Sequence, residues 1–181
     1  YDSFDKNLPL AEQNASKAMH LNPESAEVQT SNAFVSLIRK DNPETTEQYY
    51  LKAIKLNPNY ATAYHWYSDF LRQVLKDFEK SLEYGESAKL LDPLSGIIRI
   101  NLSNSYKALN KLDEAENVLT TLLDLNPNFL RAYGTLALIY RRQGAWEKAV
   151  NTSTKWIQLN PKDGNSYRSL GEVKIIMGDF D

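Results

Sequence analysis

Apolar residues recur at helical spacing through most of this 181-residue chain. The pattern is clearest between Phe129 and Pro161. Tyr133, Leu136, Ala137 and Tyr140 share one face of a first helix. Gly144 interrupts it within Arg142-Gln143-Gly144-Ala145, and Ala149, Ser153 and Trp156 share one face of a second helix. Small residues on such faces let two helices approach closely, and large ones fill the gaps between them.

Related patterns stand on both sides. Tyr167, Leu170, Gly171 and Gly178 begin a following unit. Leu102, Tyr106, Leu112, Ala115 and Leu119 mark the one before, and Tyr64, Tyr67, Leu71, Ser81 and Ala88 an earlier one. The first helix of the unit 25–58 is degenerate, anchored by Val28, Phe34, Val35 and Ile38, while its second helix keeps Tyr50 and Ala53.

Proline sets the frame. Leu21-Asn22-Pro23, Leu56-Asn57-Pro58, Leu91-Asp92-Pro93, Leu125-Asn126-Pro127 and Leu159-Asn160-Pro161 place prolines 35, 35, 34 and 34 residues apart. A period near 34 residues belongs to helix–turn–helix solenoids. Proline lacks the N–H that a helix interior uses and drives the preceding residue out of the α region, where Asn or Asp is tolerated. Each phrase therefore ends one helix and lets the next begin.

Taken together these residues resemble the tetratricopeptide pattern of an aromatic, Leu-Gly, Tyr, Ala, an aromatic and Pro. The resemblance covers almost the whole chain. It implies an all-α fold, a right-handed superhelical solenoid of antiparallel helix pairs with about ten helices. The expected division is one domain over 1–181: a half repeat at 1–24, full repeats at 25–58, 59–93, 94–127 and 128–161, and a half repeat at 162–181. Pro9 to Leu21 reads as a lone second helix with Ala11, Ala15 and Ala18 on one face. Asn165 to Met177 reads as a lone first helix, which should expose Leu170, Val173 and Met177. Such terminal faces invite a homodimer. Because the chain starts at Tyr1 and both ends fall within a repeat, it reads as a piece of a longer protein.

Composition narrows the function. The net charge is −2, which gives no field for nucleic acid and no basic membrane anchor. No apolar run is long enough to span a bilayer, so neither partner is expected for this segment. With no cysteine, disulfides, zinc-thiolate sites and cysteine nucleophiles are excluded. The two histidines, His20 and His65, form no metal-ligand spacing, and no phosphate-cradling glycine motif occurs. No metal, cofactor or catalytic residue is expected.

Binding is the remaining class. Family stacks are similar in lining a concave groove with their first helices, where a protein or peptide segment docks. Positions offset from the core face Tyr64, Tyr67 and Leu71 are His65, Asp69 and Arg72, with Trp66 beside them. The same offsets give Asn101, Asn104 and Lys107, then Arg131, Thr135 and Arg141, then Arg168 and Glu172. The row is polar with a basic lean. Arginine forks suit carboxylates, Asn can pair with an extended backbone, and aromatics anchor interfaces, so an acidic or C-terminal peptide is the expected ligand. The family's two-carboxylate clamp for chaperone tails, laid onto these units, keeps Asn101 in identity and Arg131 in charge. It departs at His65, Asp69 and Thr135, and Asp69 would repel a carboxylate.

A second resemblance bears on the parent protein. Ala63-Tyr64-His65-Trp66-Tyr67, Leu91-Asp92-Pro93-Leu94-Ser95 and Ile97 to Asn101 look like repeats downstream of bacterial class III nucleotide cyclase domains and in membrane-anchored winged-helix regulators. This implies a regulatory or oligomerising arm of a signalling protein. It favours the bacterial cytoplasm, or the periplasm if the parent is membrane-anchored.

Overall fold

A computed structural model describes residues 2–178, with side chains from Asn7 onward. The expected end of the last segment, at 179–181, lies outside the described residues. The chain divides into two compact units, 1–93 and 94–181.

The first unit holds α1 (Asp2–Leu21), α2 (Ala26–Arg39), α3 (Pro43–Leu56), α4 (Ala61–Phe70) and α5 (Phe78–Leu91). The second holds α6 (Gly96–Ala108), α7 (Leu112–Leu125), α8 (Leu130–Gln143), α9 (Trp146–Leu159) and α10 (Gly164–Met177). The described residues are thus all-α, with ten α-helices and no strand, as the spacing predicts.

The Asn/Asp-Pro phrases act as derived, with one refinement. Asn57, Asp92, Asn126 and Asn160 all adopt an extended conformation, with φ between −135 and −144. This is the conformation a following proline imposes, rather than the left-handed turn often seen at helix ends. The side chain contributes too. Asn57 Oδ1 accepts from the Asn59 N–H at 3.0 Å, and Asn126 Oδ1 from the Asn128 N–H at 3.2 Å. Left-handed turns follow α2, α6, α8, α10 and the helix that begins with α4, at Lys40, Asn110, Gly144, Gly178 and Lys76. Only at Gly144 and Gly178 is the absence of a Cβ used there.

Each helix pair closes on small residues. Counted from the preceding proline, the tenth residue is Ala33, Ser68, Ser103 and Ala137 in successive first helices, and all are at most 2% exposed. Ser68 and Ser81 show how polar groups fit there. Ser68 Oγ donates to the Ser81 carbonyl at 2.6 Å, and Ser81 Oγ returns a bond to the Ser68 carbonyl at 2.9 Å. Around these contacts lie the cores. Tyr50, Tyr67, Phe70 and Leu71 fill the first unit, and Ile100, Leu119, Leu136 and Ile139 the second.

Val173 corrects an expectation. It is fully buried with the second unit's core, while Leu170 is half-buried and Met177 is 47% exposed. A first helix has two buried faces, one toward its own partner and one toward the preceding pair. Val173 occupies the register of Phe70 and Ile139, both buried, and so belongs to the second of these faces. The apolar side chains that α10 exposes are Tyr167, Ile175, Ile176 and Met177.

The second helices α3, α5, α7 and α9 are each 14 residues long. The extra residue of the two 35-residue spacings therefore falls earlier. Before α3 it enlarges the turn to Lys40, Asp41 and Asn42. Before α5 it is absorbed within the helix, which continues from α4 as a π-helical turn, Leu71–Leu75. The Asp77 N–H bonds back to the Leu71 carbonyl at 3.0 Å to close it. Deleting exposed Gln73 should restore α geometry, keep cooperative urea unfolding and change stability by about 1 kcal/mol or less. Deleting Leu138 in α8 rotates the following residues by about 100° and should abolish the cooperative transition. Circular dichroism during urea titration checks both.

Candidate functional site

The predicted groove residues fall into separate settings. In the first unit, His65 is 6% exposed, with its ring 5.1 Å from that of Trp66. Burial pushes its imidazole pKa down, against an opposing pull from the Asp69 charge. It is therefore largely withheld from a surface ligand. Trp66 is half-buried, 5.4 Å from Phe34 ring to ring. These two rings, with Ala11, Ala15, Ala18 and Val35, line an open apolar cleft of about 510 Å³. Asp69 accepts hydrogen bonds from Arg72 and Gln73 on its own helix. Its charge is thus answered locally.

In the second unit, Asn101 is half-buried on α6, and Asn104 Oδ1 accepts from Lys107 Nζ at 2.7 Å. The Lys107 carbonyl accepts from Arg142 at 3.3 Å. These three lie outside the lining of the cleft formed by α8, α9 and α10. That cleft, also about 510 Å³, brings together Arg131, Thr135, Arg141, Arg168 and Glu172.

Its electrostatics are uneven. Glu172 accepts from Arg141 and, at 3.4 Å, from Arg168. Arg131 is exposed and makes no ion pair with a described residue. Three guanidinium groups thus face one carboxylate, leaving an excess of positive charge and of N–H donors. Thr135 Oγ1 donates to the Arg131 carbonyl at 3.2 Å, so its hydroxyl is partly engaged.

Trp156 and Gly134 were not singled out as groove residues. Both line this cleft with Leu138, Asn165 and Ser169. A Cβ on Gly134 would lie 2.8 Å from Trp156 Cη2. An uninterrupted helix around an interior glycine is the sequence signal for such an approach. Replacing Gly134 with Ala should displace the indole. The clash costs about 1–3 kcal/mol, against roughly 1 kcal/mol regained in helix propensity. Urea denaturation should show a small net loss, and tryptophan emission should shift.

Comparison with known proteins converges on one family. Residues 106–172 match the model of the tetratricopeptide repeat. A DnaJ homolog subfamily C member 7 homolog from Dictyostelium discoideum is 24% identical over 172 residues, 95% of this chain and 28% of that protein. The chain thus spans little more than a quarter of that relative's length. Among solved structures, pilF of Pseudomonas aeruginosa aligns with a TM-score of 0.79 at 20% identity, over 97% of this chain and 79% of that one. The first tetratricopeptide segment of Spaghetti (RPAP3), bound to the HSP90 peptide SRMEEVD, aligns with a TM-score of 0.59 at 15% identity, over 65% and 93%.

Proposed function

We propose, from the premise that this chain is a tetratricopeptide repeat protein, that it is a non-catalytic interaction module that takes an acidic peptide segment on its second unit. The fold itself supports a protein–protein interaction role. The finer reading rests on one observation: the cleft of Arg131, Arg141 and Arg168 holds a single carboxylate, Glu172.

A carboxylate entering beside Arg131 meets a planar fork paired with no described carboxylate and a field already positive. The half-buried Trp156 supplies flat apolar surface for the neighbouring part of the peptide. The similar fold that carries an HSP90 peptide makes a peptide ligand reasonable in kind. Within this cleft, Thr135 is the position that departs from the chaperone clamp.

Among the described residues no group of His, Cys, Asp and Glu could hold a metal ion, and no helix is long and apolar enough to cross a membrane.

The test is fluorescence anisotropy with a panel of acidic heptapeptides, SRMEEVD among them, against a neutral panel. The double substitution Arg131→Ala with Arg168→Ala should weaken acidic binding by about tenfold or more and flatten its salt dependence, with helicity unchanged. Equal affinity for both panels, or an unaffected double variant, would exclude this site.

A further inference from the structure

Resting on the acidic-peptide reading, we infer that the cleft of α8, α9 and α10 selects a phosphorylated side chain, a phosphoserine or phosphothreonine within a peptide, over a single glutamate or aspartate. Charge, hydrogen-bonding capacity and placement each lead there.

Among the described residues, the charged ones that line the cleft are Arg131, Arg141, Arg168 and Glu172, so its formal charge is two positive. A single carboxylate answers half of that. A phosphate monoester carries about −1.5 to −2 near neutral pH and answers nearly all of it.

The lining offers donors and has little acceptor capacity left. Its one carboxylate, Glu172, already accepts from Arg141 and Arg168. The Thr135 hydroxyl donates to the Arg131 carbonyl, and the Ser169 hydroxyl pairs with Ser153 at 2.9 Å. Arg131 is exposed and makes no ion pair with a described residue. A group that only accepts suits such a surface, and a phosphate dianion is one, with its terminal oxygens free of protons. An unmodified serine or threonine instead brings a donor, and the cleft has no uncommitted carboxylate to receive it.

The two outer guanidinium groups stand on different helices, Arg131 on α8 and Arg168 on α10, and the Arg168 side chain is 70% exposed. The tetrahedrally disposed oxygens of a phosphate can accept from forks on both helices at once. One carboxylate presents two oxygens in a plane, which match a single fork. Trp156 is half-buried in the same lining, seated against α8 by the missing Cβ of Gly134. Its apolar ring keeps water from part of the cleft, and that strengthens the pull of the cations on an anion. A pair of adjacent glutamates carries the same charge as a phosphate, but on two side chains, both of which must be ordered on binding.

Fluorescence anisotropy with the whole chain tests this. The probe is an end-capped peptide, Ala-Gly-Leu-X-Leu-Gly-Ala, with X as Ser, Glu, phosphoserine or two adjacent Glu. The phosphoserine peptide should bind about tenfold more tightly than the Glu peptide and about threefold or more above the Glu pair. Arg131→Gln, at an exposed position, should leave helicity unchanged and cut the advantage of phosphoserine over Glu to about threefold or less. Going from about pH 7.5 to about pH 5.5 takes the phosphate through its second ionisation at about 6. That should remove most of the advantage, while the Glu peptide, ionised at both, changes little.

A Glu peptide that binds as tightly as phosphoserine, and depends on Arg131, overturns the phosphate preference and leaves the acidic-peptide reading standing. Equal affinity for the Glu pair does the same, as does an advantage that persists at the lower pH. Inorganic phosphate that displaces the Glu peptide as effectively as the phosphoserine peptide does would mark a free-anion site and overturn the peptide ligand. An advantage unchanged in Arg131→Gln overturns the placement in this cleft. If no anionic peptide binds more tightly than the Ser peptide, both readings fall.

Discussion

The structure depends on one close approach within each helix pair. Where the two helices touch, the first carries a small residue, and Ala33, Ser68, Ser103 and Ala137 occupy that point in four successive pairs. Tight approach brings the flanking large side chains into contact, so Tyr67 and Leu71, or Leu136 and Tyr140, can fill the space on either side. It also excludes water from whatever polar atoms lie there. The hydroxyls comply by pairing: Ser68 with Ser81, Ser36 with Thr46 at 2.8 Å, Ser153 with Ser169 at 2.9 Å. A larger residue at such a point would separate the pair; an unpaired hydroxyl would carry the full desolvation penalty.

That constraint fixes the second helix more tightly than the first. Each second helix of a complete pair runs 14 residues and ends at an extended Asn or Asp before proline. Variation in length is absorbed where the first helix ends, by a wider turn at Lys40–Asn42 or by the π turn at Leu71–Leu75. The π turn also displaces the end of that helix relative to its core face. Val74 and Leu75 are each 37% exposed, although they stand four residues after buried Phe70 and Leu71.

The Leu-Asn/Asp-Pro phrases made the frame legible, because proline acts through covalent geometry and needs no tertiary context. Helical offsets from that frame placed Tyr67 and Leu71 in the core and Arg131, Thr135 and Arg168 on one cleft. They did not anticipate the burial of Val173 or His65. An offset gives an angle around one helix, whereas burial depends on how many neighbours that angle meets. Nor could a spacing of 35 residues distinguish a longer turn from a π turn, since both add one residue between the same prolines. Trp156 was legible as a packed aromatic. Its place at the cleft follows from Gly134 on the neighbouring helix, and that pairing exists only in three dimensions.

The same separation of roles explains why the cleft suits binding. Close approach consumes the small residues and aromatics of each pair's inner face, leaving the outer face of the first helices free of packing duty. On α8 and α10 that freedom is filled with arginine. Three guanidinium groups in one cleft would repel each other if left alone, and Glu172 between Arg141 and Arg168 offsets that repulsion. A single carboxylate holds two of the cations in place without neutralising the third. On the reading proposed for this cleft, Glu172 is then a positioning residue. It lowers the conformational freedom that an incoming anion would otherwise have to restrict, and leaves Arg131 as the cation whose charge is still unanswered.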